Sequence, residues 1–234
     1  MPGSKRILQN TSNSHIKVNT PIFEASKQID LCTNLRQNEE KHKKMLLRIT
    51  HYDEPILRLS GEEVTIFDDK LGQLAEDMID TMHEAEGIGL AAQQVGKALR
   101  FCVVEIAHNP ENPITCIFDG KPLNPDLLMP LALANPEIEE LPGEDMVYEE
   151  GCLSFPEIRG DVVRADRVRV RYLDLKGTEH VLECDGLLSR CIQHETDHLA
   201  GILFIDRMEP EVLAEIKPEV KELKRLTKKA INKK

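Results

Sequence analysis

Tryptophan is absent from this 234-residue chain, and tyrosine and phenylalanine together supply nine residues. A core must therefore be aliphatic, and 41% hydrophobic content is enough to build one. No apolar run approaches the ~20 residues needed to cross a bilayer, and no signal-like apolar stretch opens the chain. The sequence reads as a soluble, intracellular, cytoplasmic protein with no membrane partner. C-x-x-C pairs are also missing. The cysteines at 32, 102, 116, 152, 184 and 191 lack disulfide-scaffold density, so they read as reduced thiols with one metal ligand at most among them. Basic charge is scarce in the middle. Residues 1–44 carry eight basic and four acidic side chains and residues 209–234 carry eight and five, which leaves 14 basic against 32 acidic in residues 45–208, a net of −18. Such a body repels DNA, and any RNA contact falls to the ends.

Residues 1–44 are polar and lysine-rich without periodicity, and read as a disordered extension. An organellar transit peptide is one reading, weakened by scarce arginine, and a start at Met45 is the plainer one. The main domain is expected over 45–208, with a basic helix or tail over 209–234. Within the domain, Leu71, Leu74, Ala75, Met78, Ile79 and Met82 fall on one face of a helix that Gly87 would end. FCVVEIA (101–107) reads as a buried strand and 109–130 as a long loop. Val168, Val170 and Tyr172 share a face of a hairpin that closes at KG. A helix follows, with Asp185 as N-cap and Gly201 as its stop, and then ILFID (202–206) as a strand. Short strands around two helices indicate an α+β fold, with short antiparallel strands packed around a central metal-binding helix.

That helix carries QHETDH (193–198). His194 and His198, four residues apart, lie on one helical face and can meet one metal ion, and Glu195 can reach a water held there. Three protein ligands plus an open position are usual for a catalytic site, so the third ligand decides the chemistry. The metzincin continuation fails, since Phe204 stands where its third histidine belongs. A downstream glutamate, Glu219 or Glu222, would make a thermolysin-like HExxH metallopeptidase, but both lie in the lysine-rich tail. Upstream, EEGCLSFP (149–156) sets Cys152 beside Gly151, and a thiolate there would complete a Cys/His/His set. Directly after the first helix, GIGLAAQQVG (87–96) makes a small-residue turn with an amide donor at Gln94 and no phosphate-loop lysine.

The ordered strings GIGLAAQQ, EGCLS and QHETDH resemble the three motifs of the peptide deformylases, and the likeness runs from THYDEPILR (50–58) to about Arg207. It implies that Cys152, His194 and His198 bind the metal and that Glu195 is the acid–base. It also implies that Gln94 and the Leu153 N–H stabilise the oxyanion. The implied reaction is hydrolysis of the formyl group from formyl-methionyl nascent peptides, with release of formate. The implied metal is Fe2+, which Zn2+, Ni2+ or Co2+ can replace. The peptide would pair with the backbone around Ile88 and Gly89, and its methionine side chain would enter a pocket formed by Leu187, Cys191 and Tyr148. Arg190 tests that pocket: outward it is a surface residue, inward it displaces the apolar lining. Arg159 reads equally as a peptide-binding or a surface residue. Gln93 beside Gln94 leaves a register slip open, and Phe155 stands where the family has Val or Ile. The lysine-rich 209–234 segment, with Val220, Leu223, Leu226 and Ile231 near one face, resembles the helix by which some deformylases dock at the ribosome's nascent-chain exit. A partner-binding protein with a silent site is the third reading, and the intact motif residues argue against it.

Overall fold

The computed structural model describes residues 44–107 and 109–232; the expected 1–44 extension therefore lies outside the described residues except for Lys44. Helix α1 (Asp69–Glu84) opens at Asp68, whose side chain accepts from the backbone N–H groups of Lys70 and Leu71. Leu71, Ala75, Met78 and Met82 are buried along one face, while Leu74 and Ile79 flank them half-buried. Gly87 is not the residue that ends this helix. Glu86 takes the left-handed backbone (φ 55) and the Gly87 N–H bonds back to Met82 O. Gly87 is needed instead for close approach, since a Cβ there would lie 2.8 Å from Leu153 Cδ1.

Nine strands follow among the described residues: β1 (Gly89–Ala91), β2 (Phe101–Val104), β3 (Cys116–Phe118), β4 (Lys121–Pro122), β5 (Leu131–Glu140), β6 (Asp145–Cys152), β7 (Phe155–Ala165), β8 (Val168–Leu173) and β9 (Glu179–Cys184). Seven form an antiparallel sheet in the order β1-β2-β5-β8-β9-β3-β4, and β6 and β7 form a separate two-stranded ribbon. The expected hairpin is β8–β9, with Val168, Val170 and Tyr172 all buried. The loop expected over 109–130 contains β3 and β4, which are too short to carry a period.

Helix α2 (Gly186–Leu199) packs against β1, β2 and β5, and its Leu188, Cys191, Ile192 and Leu199 close one core cluster. Asp185 takes the N-cap position, but its carboxylate is spent on the Thr115 N–H and hydroxyl. Gly201 does stop the helix: at φ 72, with a Cβ position 2.7 Å from Arg58 O, the site admits little besides glycine. The strand expected at ILFID is instead a short 3-10 turn, Phe204–Asp206. Asp206 accepts from the Leu203 N–H at 2.8 Å and pairs with Arg58, which bends the chain where no strand partner is offered. Helix α3 (Pro210–Ile231) then lies on β7, burying Val220 and packing Val212, Leu213, Ile216 and Leu223 against Phe155, Ile158 and Phe204. Among the described residues no helix is long and apolar enough to cross a membrane.

Candidate metal centre and active site

Four-residue spacing arranges α2 in rows facing the ribbon and β1. Arg190, His194 and His198 form one row; Leu187, Cys191 and Glu195 form the next. Cys152, at the end of β6, closes on the first row: its sulfur is 3.3 Å from His198 Nε2, and Cys152, His194 and His198 each offer a ligand atom within 4.8 Å of the others. Ligand bonds of ~2.3 Å to sulfur and ~2.0 Å to nitrogen put tetrahedral neighbours about 3.5 Å apart, so this spacing suits one ion. Glu150 Oε2 lies 3.0 Å from His194 Nδ1. A carboxylate only accepts, so Nδ1 carries a proton, and Nε2 is the nitrogen left to bind a metal, giving up its own proton where the ring is charged. Charge agrees with the fit. Burial alone would lower the pKa of His194, but Cys152 and Glu150 raise it to about 10, a pocket that favours a cation. Burial, then the neighbouring His194, keeps His198 neutral.

Glu195 is buried against β1, and its Oε2 has no hydrogen-bond partner among the described residues. Burial pushes its carboxyl up to about 7, against the pull of His194 and Arg164. Gln94 is fixed by the Ala91 N–H, which donates to its Oε1 at 2.7 Å; its NH2 group is thereby turned to Cys152 Sγ and Ser154 Oγ, each at 3.4 Å. Gln93, by contrast, is fully buried with its amide away from the cysteine's hydrogen bonds, so the adjoining glutamine is Gln94. Leu153 is half-buried against the α1 cluster. Glu219 and Glu222 are exposed on α3, with Glu222 held by Arg225 at 2.7 Å, and neither joins the three-residue cluster.

A sequence model described as polypeptide deformylase matches residues 46–213. The chain belongs to the polypeptide deformylase family. A peptide deformylase of Opitutus terrae is 54% identical over 187 residues, 80% of this chain and 97% of that relative. One of Methylacidiphilum infernorum is 42% identical over 181 residues, covering 77% and 94%. A plant peptide deformylase of known structure superposes with a TM-score of 0.69 at 34% identity, over 81% of this chain and 95% of that one. The peptide deformylase from Thermotoga maritima gives 0.60 at 39% identity, over 71% and 99%.

In this deformylase chain Arg190 points inward, which corrects the apolar pocket expected around it. Its guanidinium donates to Glu150 Oε1 at 2.7 Å, to Val162 O at 3.0 Å and to Met146 O, beneath the Tyr148 ring. A cavity of about 320 Å³ is lined by Tyr148 and Leu187 together with Arg190, Ile106, Ile114 and Met146; Cys191, expected in that lining, does not belong to it and turns its thiol to Ile88 O. Ile88 is exposed and its carbonyl is taken by the Glu105 N–H. Gly89 is buried against Glu195, and β1, at one end of the sheet order, pairs with β2 alone among the described strands. Arg159 is exposed, with its guanidinium lying over Gly151.

The residues that sequence reasoning missed are Glu150, Arg164 and Asp197. Arg164 holds Glu150 through two hydrogen bonds at 2.6 and 3.0 Å and reaches Asp197 at 2.8 Å, while Arg207 closes on Asp197 from α2's far end. Burial alone would raise the Glu150 carboxyl, but His194 and Arg164 outweigh it and hold the group at about 2. One signal was present: on a strand, positions 150 and 152 share a face, so the second glutamate of EEGC points where the cysteine points.

Proposed function

We propose that this chain is a metal-dependent hydrolase that removes the formyl group from the N-terminal formyl-methionine of new polypeptides, releasing formate and a free methionyl end. The observation that carries this reading is the convergence of Cys152, His194 and His198, with Gln94 3.4 Å from the thiol. In our reading these three residues hold Fe2+, with Zn2+, Ni2+ or Co2+ as substitutes. The ion supplies Lewis-acid chemistry, acidifying a water and polarising the formyl carbonyl.

Glu195 does the proton work. A carboxyl near 7 in a dry pocket can take the proton of the attacking water and return it to the leaving amine. The Gln94 NH2 and the Leu153 N–H donate to the oxygen on which negative charge develops, and the Ala91 contact keeps the amide oriented beforehand. The edge of β1 around Ile88 and Gly89 offers the peptide backbone a strand to pair with, and Arg159 can reach its carbonyls. The methionine side chain would meet Leu187, Tyr148 and the stem of Arg190.

The test is formate release from formyl-Met-Ala by anaerobically purified, iron-loaded protein. Release by the unaltered chain that Glu195→Gln abolishes while keeping its metal supports the reading; background release overturns it.

Ribosome docking through α3 extends this proposal. Lys217, Lys221 and Lys229 are exposed, while Lys224 is spent on Asp53 at 2.7 Å. Replacing Lys217, Lys221 and Lys229 with alanine should weaken salt-dependent ribosome co-sedimentation and spare activity on free peptides; unchanged co-sedimentation would refute the docking.

A further inference from the structure

The three candidate ligands sit on two separate elements: Cys152 on the β6–β7 ribbon, His194 and His198 on α2. Nothing in either element's own geometry sets their separation, yet a metal site tolerates errors of only about ±0.2 Å in its bonds. Something must fasten ribbon to helix beside the site. Arg164 projects from the ribbon to Glu150 and Asp197 through side chains alone, and Ser189 and Gln193 of α2 reach one strand only, donating to Ala165 O on β7. Arg190 is different. It stands on α2 one turn before His194 and donates to a main-chain carbonyl on each ribbon strand, Met146 O on β6 and Val162 O on β7, and to Glu150 Oε1.

Resting on the metal-site reading above, we propose that Arg190 is a positioning residue that sets the distance between the cysteine-bearing ribbon and the histidine-bearing helix. A guanidinium suits this task because its donors lie in one rigid plane, so three acceptors on two strands share a single frame with the helix. Lysine offers a point charge on a flexible stem and cannot impose that frame. The Tyr148 ring lies 5.4 Å from the Arg190 Cζ and covers the cation on its solvent side. Such cover matters because this end of the ribbon is open: Met146 and Tyr148 are 40% and 53% exposed, whereas Arg190 is 8% exposed. Without Arg190, Glu150 would remain gripped by Arg164 at two atoms, so the His194 partner stays in place. The loss should therefore register on the Cys152 side.

The experiment compares the unaltered chain with Arg190→Met, Arg190→Lys and Tyr148→Phe, each loaded with Co2+. The readouts are the thiolate-to-cobalt absorption band, the rate of metal release to a chelator, and melting temperatures with and without metal. Arg190→Met should weaken or shift the band and release metal about tenfold faster or more, the size expected when groups supporting metal ligands are removed. Its rise in melting temperature on metal loading should be smaller than that of the unaltered chain. Arg190→Lys should release at an intermediate rate, and Tyr148→Phe, which keeps the stacked ring, at the unaltered rate. The proposal is overturned if Arg190→Met keeps the band and release rate, or if apo and loaded forms lose stability equally. If Arg190→Met does not fold, Arg190→Lys decides, and an unaltered release rate in it overturns the proposal. Failure of the unaltered chain to bind cobalt would overturn the metal-site reading itself.

Discussion

Gly89 leaves no room for a side chain: an added Cβ would sit 2.4 Å from Glu195 Oε1 and 2.7 Å from Cys191 Sγ. The carboxylate rests against bare backbone, and its place is set by what residue 89 lacks. Gly89→Ala should therefore push Glu195 off its position without touching the cluster of Cys152, His194 and His198. We expect turnover on formyl-Met-Ala to fall about 100-fold, the scale of a ~1 Å misplacement of a reacting group. Metal content by elemental analysis should stay at the unaltered level; loss of metal in step with activity would refute this account. A complementary change is Glu150→Gln, which weakens the acceptor that keeps the His194 proton on Nδ1. Metal affinity should drop by about 10–100-fold, measured by competition with a chromogenic chelator. The contrast between these residues also marks what a sequence discloses. His194, Glu195 and His198 are legible because helical spacing alone puts them together. Glu150 was not, because its role depends on a contact made across 44 residues of chain.

The last helix raises the same question one level up. Its sequence places Val220, Leu223, Leu226 and Ile231 near one face, but the face that packs is rotated: Val220 and Thr227 are buried, and Leu226 and Ile231 are 49% and 44% exposed. The body beneath α3 sets that face, since the cluster of Phe155, Ile158 and Phe204 takes up its apolar residues as far as Leu223. Phe155 and Phe204 meet edge-on at 5.0 Å, and Phe204 in turn lies beside the His194 ring. Removing residues 218–234 should thus cost stability, about 3 kcal/mol for the cover that Val220 and Leu223 supply. A urea titration should show the midpoint fall with activity retained at low denaturant; an unmoved midpoint would make this half of the helix a free arm. Periodicity located α1, α2 and the β8–β9 hairpin because each repeats one face over several turns or pleats. It failed at ILFID, where four successive apolar residues carry no period and the turn is set by Asp206 and Arg58. It failed equally at β3 and β4, strands of three and two residues that pair with each other, β3 also pairing with β9.

Across the whole molecule, charge is distributed so that the buried carboxylate of Glu150 answers to pH differently from the bulk of the solvated acids. Residues 45–208 carry 32 acidic side chains against 14 basic ones, and most are solvated. Acidifying the protein first relieves that repulsion, which by itself favours the folded state. Glu150 works the other way. Its carboxyl titrates near 2 in the folded protein against an ordinary 4.5, because Arg164 and His194 grip the anion more strongly than burial disfavours it. A folded-state pKa lowered in this sense contributes stability that is complete above about pH 4.5. That stability is lost as pH falls towards 2, and the shift corresponds to about 3 kcal/mol. To separate it from the general charge effect, metal-free protein and its Glu150→Gln variant should be denatured in parallel from pH 7 to pH 2.5. Both carry the same other acids, so relief of repulsion cancels in the difference. The unaltered chain should exceed the variant by about 3 kcal/mol at neutral pH. The gap should be level above pH 5 and then close steadily as the solution becomes more acid. A gap that is constant over the whole range would mean that the variant's defect is one of packing, and that the buried charge of Glu150 stabilises nothing through its ionisation.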